Sequence, residues 1–500
     1  MLLVFGIGVA SVMAAAAAEP RHTIVVDDYF TVASLNELAI SSIAKSVVYA
    51  EGRWLEATNN RKSDLWVVPF SGEKPRRLTF DSASYDSLRF SSDGRFVYCL
   101  SRSLREPQSG PPSDGSRQIW RIAVDGSDSI PLGHIDGGIE GFDLSTNGEW
   151  AVYIKSATED QKEWAALRSR FPEIKYGGRP KTVTTFHKLN LKTLRTTQIA
   201  VIAGAVDEFS LSPNGKRIAM VTAPDSSVIS MEGKSRMTIL EIADGRTIDL
   251  PDDKWRKDLP SPYGRLAQPQ WSADSRVLAF AIGFDAYPSE VFVADWNDRA
   301  QPEIRRVLRP GHVSLHGGVD GGLVLRWRGE TRDLCFLGDD HARVRIYCAK
   351  DATNGGPVEP LTDLDEVVDT FVWDQSGTSI AAIRGLPDKL NDVYVLRPTE
   401  KEWKQLTDIN SHTRNWSLPK MSVVTWLGNE GEHVEGVLEL PGDNQPGTPL
   451  PMIVNLHGGP TFAAPYHLAP GFTGNVFYAS QGYAFFHPTI VDRRGMVTNS

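Results

Sequence analysis

Three cysteines, Cys99, Cys335 and Cys348, are all that 500 residues contain. That is too few for a disulfide scaffold, and their spacing matches no zinc motif. Basic residues are also in short supply: 53 Lys and Arg against 62 Asp and Glu leave a formal charge of −9. Arg76-Arg77, Arg305-Arg306 and Arg493-Arg494 are isolated pairs. No phosphate-tracking surface is written here, so no nucleic-acid partner is expected. Long hydrophobic runs are missing as well; no stretch reaches the ~20 apolar residues that cross a bilayer, which excludes an integral helical span. What is present, 41% hydrophobic and 23% charged residues, is the make-up of an ordinary globular protein rather than a disordered one. A single hydrophobic core stops growing near roughly 250 to 300 residues, so at least two bodies, or a repeat, are expected.

The N-terminus carries an apolar run from Leu2 to Val12, then Met13, the alanines Ala14 to Ala18, and Glu19-Pro20. This is the form of a signal peptide, residues 1–18, cleaved after Ala18, and it places the protein outside the cytoplasm, periplasmic or secreted. No Lys or Arg precedes the run, so an uncleaved anchor or an internal start is the other reading. In an oxidising compartment Cys335 and Cys348 could pair. They flank an expected hairpin, Asp333 to Leu337 and Arg343 to Cys348, with a turn at His341-Ala342. Two buried apolar thiols in adjacent strands fit the same residues, because a one-residue register shift puts them on opposite faces.

A repeat runs through the middle. Each copy has an apolar residue, a Ser, a small polar turn, a basic residue and then alternating apolar residues. The clearest are Phe90-Ser91-Ser92-Asp93-Gly94-Arg95, Leu144-Ser145-Thr146-Asn147-Gly148-Glu149 and Leu211-Ser212-Pro213-Asn214-Gly215-Lys216. Weaker copies begin at Trp271, Trp327 and Trp373, and an eroded one at Ile40. Between them a strand with an aromatic residue leads through a turn to Leu or Leu-Thr, as in Leu65-Trp66-Val67-Val68 to Leu78-Thr79 and Val393-Tyr394-Val395-Leu396 to Leu406-Thr407. Together they make a four-stranded unit that cannot bury both faces alone, so radial stacking is required. The reading is an all-β seven-bladed β-propeller over residues 19–415. A charged insertion from Thr158 to Lys181 has helical spacing at Trp164, Leu167 and Phe171. It could project over one end of the ring and bring Glu163, Arg168, Arg170 and Glu173 toward a substrate terminus, although a solvated helix face explains the same residues.

Past Thr407 the pattern changes. Val423 to Trp426 and Val434 to Leu438 read as a hairpin, and Pro451-Met452-Ile453-Val454-Asn455-Leu456 as a buried strand of the parallel kind. That strand delivers His457-Gly458-Gly459-Pro460. A helix is expected over 472–480 and a strand from Tyr483 to His487. Strand, glycine turn, helix, strand opens an α/β-hydrolase domain, incomplete here and assigned to 416–500. The glycines suit it: backbone N–H groups facing an oxyanion leave no room for a side chain. A Gly-x-Ser-x-Gly elbow should follow, yet none occurs anywhere in the sequence. The nearest string, Gly377-Thr378-Ser379-Ile380-Ala381, lacks the closing glycine.

These features together, with PMIVNLHGGP (451–460) and ASQGYAFFHP (479–488), resemble the prolyl oligopeptidase family of serine peptidases, nearest its acylaminoacyl-peptidase and dipeptidyl-peptidase-like branches. The resemblance implies short peptide substrates, a propeller that limits access, and Ser attack through an acyl-enzyme with no cofactor. It implies an oxyanion-hole loop at His457, Gly458, Gly459 and Pro460, with the Gly459 amide as donor. Arg494 and Gly495 resemble the family's substrate-side Arg-Gly, but Val491-Asp492-Arg493 before them and Met496 after depart from the usual aromatic and Arg-Gly-Ser. No residue corresponds to the Ser, Asp or His of the triad. The expectation is therefore a C-terminally truncated chain, inactive alone, with Met452 to Leu456 left as an unpaired edge. The alternative is a non-catalytic periplasmic propeller that binds a peptide or protein partner; an esterase on the same sheet is a third reading.

Overall fold

The computed structural model describes residues 21–488 apart from 105–110, 160–161, 174–180, 286, 297–300, 319–320, 363–364, 401, 429–430, 432, 457, 459–463 and 472. The expected signal peptide, residues 1–18, lies outside the described residues.

The repeated turn is built from its own side chains. Between strands Tyr85–Phe90 and Phe96–Ser101, the Ser91 hydroxyl accepts the Phe96 amide at 3.0 Å and donates to Asp93 at 2.6 Å. Asp93 in turn accepts the Arg95 amide at 3.0 Å, and Gly94 takes the left-handed φ of 70°. The arrangement recurs with Ser212, Asn214 and Gly215, and with Ser272, Asp274 and a strained Ser275 at φ 62°. In the eroded first copy the left-handed residue is Lys45 at φ 49°, one position later, where the clearest copy has Arg95. The second motif has an equally local cause. Thr79 accepts the Leu65 amide at 2.9 Å and donates to Asp64 at 2.8 Å, and Thr407 does the same for Val393 and Asp392 at 2.9 and 2.8 Å.

Among the described residues these turns produce five four-stranded antiparallel sheets in chain order. They begin with Ser34–Ser41, Tyr85–Phe90, Gly141–Leu144, Ala205–Leu211 and Arg265–Trp271. A nine-stranded sheet follows. It divides into a leading half (Val313 to Pro360) and a trailing half (Val367 to Gln405), joined only by the parallel pair Val344–Val367. Each sheet shares a buried apolar layer with the next. The trailing half then packs Ala381, Ile383, Val393 and Val395 against Leu38, Ile40, Val47 and Tyr49 of the first sheet. The ring is thus closed by packing, with each fully buried aliphatic side chain contributing about 1.5–3 kcal/mol. No strand is exchanged across the closure among the described residues. Lys404 adds hydrogen bonds to the carbonyls of Phe70 and Ser71 at 2.8 and 2.7 Å. This is a β-propeller.

Cys335 and Cys348 are direct cross-strand partners in the leading half and form a disulfide. The turn at His341-Ala342 decides it: Asp340 pairs with Arg343, and the register carries down to the cysteines. Cys99 is a free thiol buried between the first two sheets.

The C-terminal body is one mixed sheet in the order Lys420–Leu427, His433–Leu440, Ala484–Pro488, Met452–Val454. The last two strands are parallel and connected through the helix Asn475–Ser480. Met452–Val454 is an edge among the described residues, with Met452 58% and Val454 48% exposed. The chain start completes this body. His22 exchanges backbone hydrogen bonds with Asn415 and Ser417, and Ile24 is buried among Trp416, Leu468 and Val476.

Two hairpins that join the second and third strands of propeller sheets carry the contact. The Tyr466 amide bonds to the Ala342 carbonyl at 2.7 Å and the Leu468 amide to that of Leu386 at 2.8 Å. His467 between them lies against Gly385, where a Cβ would come within 2.4 Å of its ring. The insertion after Glu159 also joins a second to a third strand, so its helix, Lys162–Arg170, stands at this same end of the ring. Arg170 there lies over Phe171 at 5.2 Å and Glu173 is exposed; the side chains of Trp164, Glu163 and Arg168 lie outside the described residues.

Candidate functional site

The edge strand leads through Asn455 and Leu456 to Gly458, which is exposed, with nothing within 4 Å of where a Cβ would stand. His457, Gly459, Pro460, Arg494 and Gly495 lie outside the described residues. At the end of this strand begins a polar chain that the sequence reading missed. Asn455 is held by its amide to the Phe486 carbonyl at 2.8 Å, and its side-chain Nδ2 donates to His487 Nδ1 at 3.2 Å. The ring proton is then on Nε2, which faces Glu439 at 3.3 Å. Asn475 Nδ2 donates to the same carboxylate oxygen at 2.7 Å. Glu439 is 1% exposed, and its second oxygen has no partner among the described residues. Burial, then the Glu439 charge, push the Tyr29 hydroxyl up. The available signal was a glutamate between two leucines near the end of its strand and an asparagine two residues before His457.

Where the two bodies meet, a second polar group is buried. Burial lowers the His467 pKa against the pull of Asp369 and Glu439, and its Nδ1 has no partner among the described residues. Burial likewise pushes Asp369 up, opposed by His467 and by the Asn391 amide. His316 bonds to Asp339 at 2.7 Å, and although burial works to lower it, that bond and charge hold it above its ordinary value. No group of three His, Cys, Asp or Glu among the described residues could hold a metal ion.

The first strands of all the propeller sheets face a common cavity of about 1130 Å³. Thr158, Thr182, Ser226 and Met231 line its end nearer the C-terminal body, and Thr146, Ala273 and Gln375 the opposite end. Glu37, Arg89, Glu208, Gln268 and Arg326 also face it. These polar residues went unread in the sequence, since they come from separate strands far apart in the chain.

No family model matches the chain. Pyrococcus horikoshii acylaminoacyl peptidase superposes with a TM-score of 0.67 at 14% identity, over 92% of this chain and 66% of that one. A Mycobacterium tuberculosis puromycin-hydrolyzing peptidase gives 0.63 at 14% identity, over 95% and 69%. The chain has the fold of the prolyl oligopeptidase family. In sequence it is similar to the dipeptidyl-peptidase 5 of Porphyromonas gingivalis, 21% identical over 466 residues, which are 86% of this chain and 63% of that one. An uncharacterized peptidase of Bacillus subtilis, YuxL, is 26% identical over 148 residues, 29% and 22% of the two chains. The chain therefore spans less than two thirds of the length of these curated relatives. The family's propeller is present, and no helix among the described residues is long and apolar enough to cross a membrane.

Proposed function

We propose that this chain supplies the propeller and the oxyanion side of an exported serine peptidase of the prolyl oligopeptidase family that hydrolyses short peptides through an acyl-enzyme. The observation that carries the reading is the closed propeller docked on a sheet whose strand Met452–Val454 runs into the glycine turn. That sheet order, with a helix between parallel neighbours, is what an α/β-hydrolase domain over 416–500 requires, and the ring counts as seven blades when the nine-stranded sheet is taken as two. In this reading His457 to Pro460 form the oxyanion loop, Arg494 and Gly495 stand on the substrate side, and the propeller gates entry to peptides. The Cys335–Cys348 disulfide supports export. With no Gly-x-Ser-x-Gly elbow in these residues, the chain alone is expected to be inactive.

Two measurements test this. The purified 500-residue chain is expected to leave fluorogenic peptides uncut; cleavage that a serine-directed phosphonate blocks overturns the assignment of the nucleophile elsewhere. The intact mass from the native source, read beside the DNA past the Ser500 codon, is expected to exceed 55.1 kDa with an in-frame Gly-x-Ser-x-Gly. The lack of that elbow in the sequence favours one other reading, a propeller that only binds a peptide or protein, and an intact mass at or below 55.1 kDa with no such elbow would select it.

A further inference from the structure

Five inner strands break register at one place each, between Leu35 and Leu38, Asp86 and Arg89, Val206 and Phe209, Ala267 and Gln270, and Val368 and Thr370. A bulge re-aims the side chains it carries. Here the irregular positions present Glu37, Arg89, Glu208 and Gln268 to the cavity, and the short inner strand Leu325–Trp327 adds Arg326. The backbone is strained to do so, since Ser87 and Gln268 are non-glycine residues at φ 57° and 53°.

The resulting cluster is organised but not neutralised in pairs. Gln268 donates its backbone N–H and its Nε2 to Glu208 at 2.9 and 3.3 Å, and accepts Arg326 Nη1 at 3.1 Å, so one amide ties three neighbouring sheets. The only other bond of Arg326 among the described residues is to its own neighbour, the Leu325 carbonyl. Neither Glu37 nor Glu208 has a cation within ion-pair distance among the described residues, and Arg89 has Asp143 only at 3.7 Å. Glu37, Glu208 and Arg326 are half-buried and Arg89 is exposed, so each turns remaining hydrogen-bonding capacity toward the chamber, where water or a ligand completes it. Burial raises both carboxyls, opposed at Glu37 first by Arg89 and at Glu208 first by the Gln268 amide, with Arg326 pulling less on each; burial also lowers Arg326 to about 10. Open guanidinium donors and open carboxylates in one chamber complement a molecule that carries both charges.

We propose that the middle of the propeller cavity binds a short zwitterionic peptide, its carboxylate on Arg326 and its ammonium on Glu37 and Glu208. The chamber, about 1130 Å³, exceeds the roughly 300–1,000 Å³ of common small-ligand sites, so a few residues fit. The inference rests on the propeller ring and not on peptidase chemistry, so it stands or falls separately from the proposed function.

Calorimetric titration of the 500-residue chain with tri-alanine, N-acetyl-tri-alanine and tri-alanine amide tests it. Tri-alanine is expected to bind, and either block to weaken binding at least tenfold. Binding that survives acetylation overturns the role of the glutamates, binding that survives amidation overturns that of Arg326, and no heat from tri-alanine at millimolar concentration overturns the site. Arg326→Gln and Glu208→Gln should each lose at least tenfold in affinity, and unchanged affinity in a folded variant also overturns it. The blocked peptides decide the matter on the unaltered protein if a variant fails to fold.

Discussion

Asp392 accepts hydrogen bonds from Thr407 Oγ1, the Ile409 amide and Gln405 Nε2 at 2.8, 3.0 and 3.1 Å, yet burial pushes its carboxyl up to about 6. Because the folded value lies above the unfolded one, ionising this group as pH rises from about 4 to about 6 costs stability, at most about 3 kcal/mol. Asp392→Asn escapes that cost. Its stability relative to the parent is expected to improve as pH goes from 4 to 7, read from urea unfolding at several pH values; a pH-independent difference would refute the effect of burial. Lys45 is a second residue-scale case. It sits at φ 49° in the eroded turn, one position past the one that glycine holds in the better copies. Left-handed backbone costs an ordinary residue about 1–2 kcal/mol, partly offset by the extra freedom of unfolded glycine. Lys45→Gly should therefore stabilise by up to about 1 kcal/mol in the same assay.

Among elements, the hairpin Leu334–Asp340 and Arg343–Ala349 carries the one covalent cross-link, closed over a separation of 13 residues. A loop of that length restricts the unfolded chain by about 3 kcal/mol. Dithiothreitol should lower the melting temperature of the parent and leave Cys335→Ala/Cys348→Ala unmoved; a parent indifferent to reductant would show that the thiols are not joined in solution. This pairing was half legible in the sequence. The turn at His341-Ala342 was readable from its residues, but the register that makes Cys335 and Cys348 partners is settled only when the strand is built. The edge strand differs: its apolar run before the glycine turn was plain, and the exposure of Met452 and Val454 follows from its place at the border of the sheet.

For the whole molecule, Arg343 is one of the residues that join the propeller to the C-terminal body. Arg343 bonds to Asp365 at 2.8 Å, approaches Glu435 at 3.5 Å and lies 5.5 Å over the Tyr466 ring. Arg343→Ala removes a charged link between the bodies, a loss of about 1–3 kcal/mol. Scanning calorimetry should then show the C-terminal body melting ahead of the propeller; one unchanged transition would mean that the backbone bonds at Ala342 and Leu386 suffice to join them.

By itself the sequence determined the repeat, the hairpin after it and the strand and helix on either side of Gly458. Turn chemistry and periodicity are local, and Ser, Asp and Gly at fixed offsets satisfy their own backbone whatever lies around them. Tertiary structure alone decided that Tyr49 packs on Val393 to close the ring, and that residues 22–24 return to Trp416. It also decided that Glu439 meets His487 beside Asn455, and that charged residues from separate strands, Glu37, Arg89, Glu208 and Arg326 among them, face one chamber. Those partners are far apart in the chain, and a lone charge in an apolar strand carries no local sign of the side chain it will face.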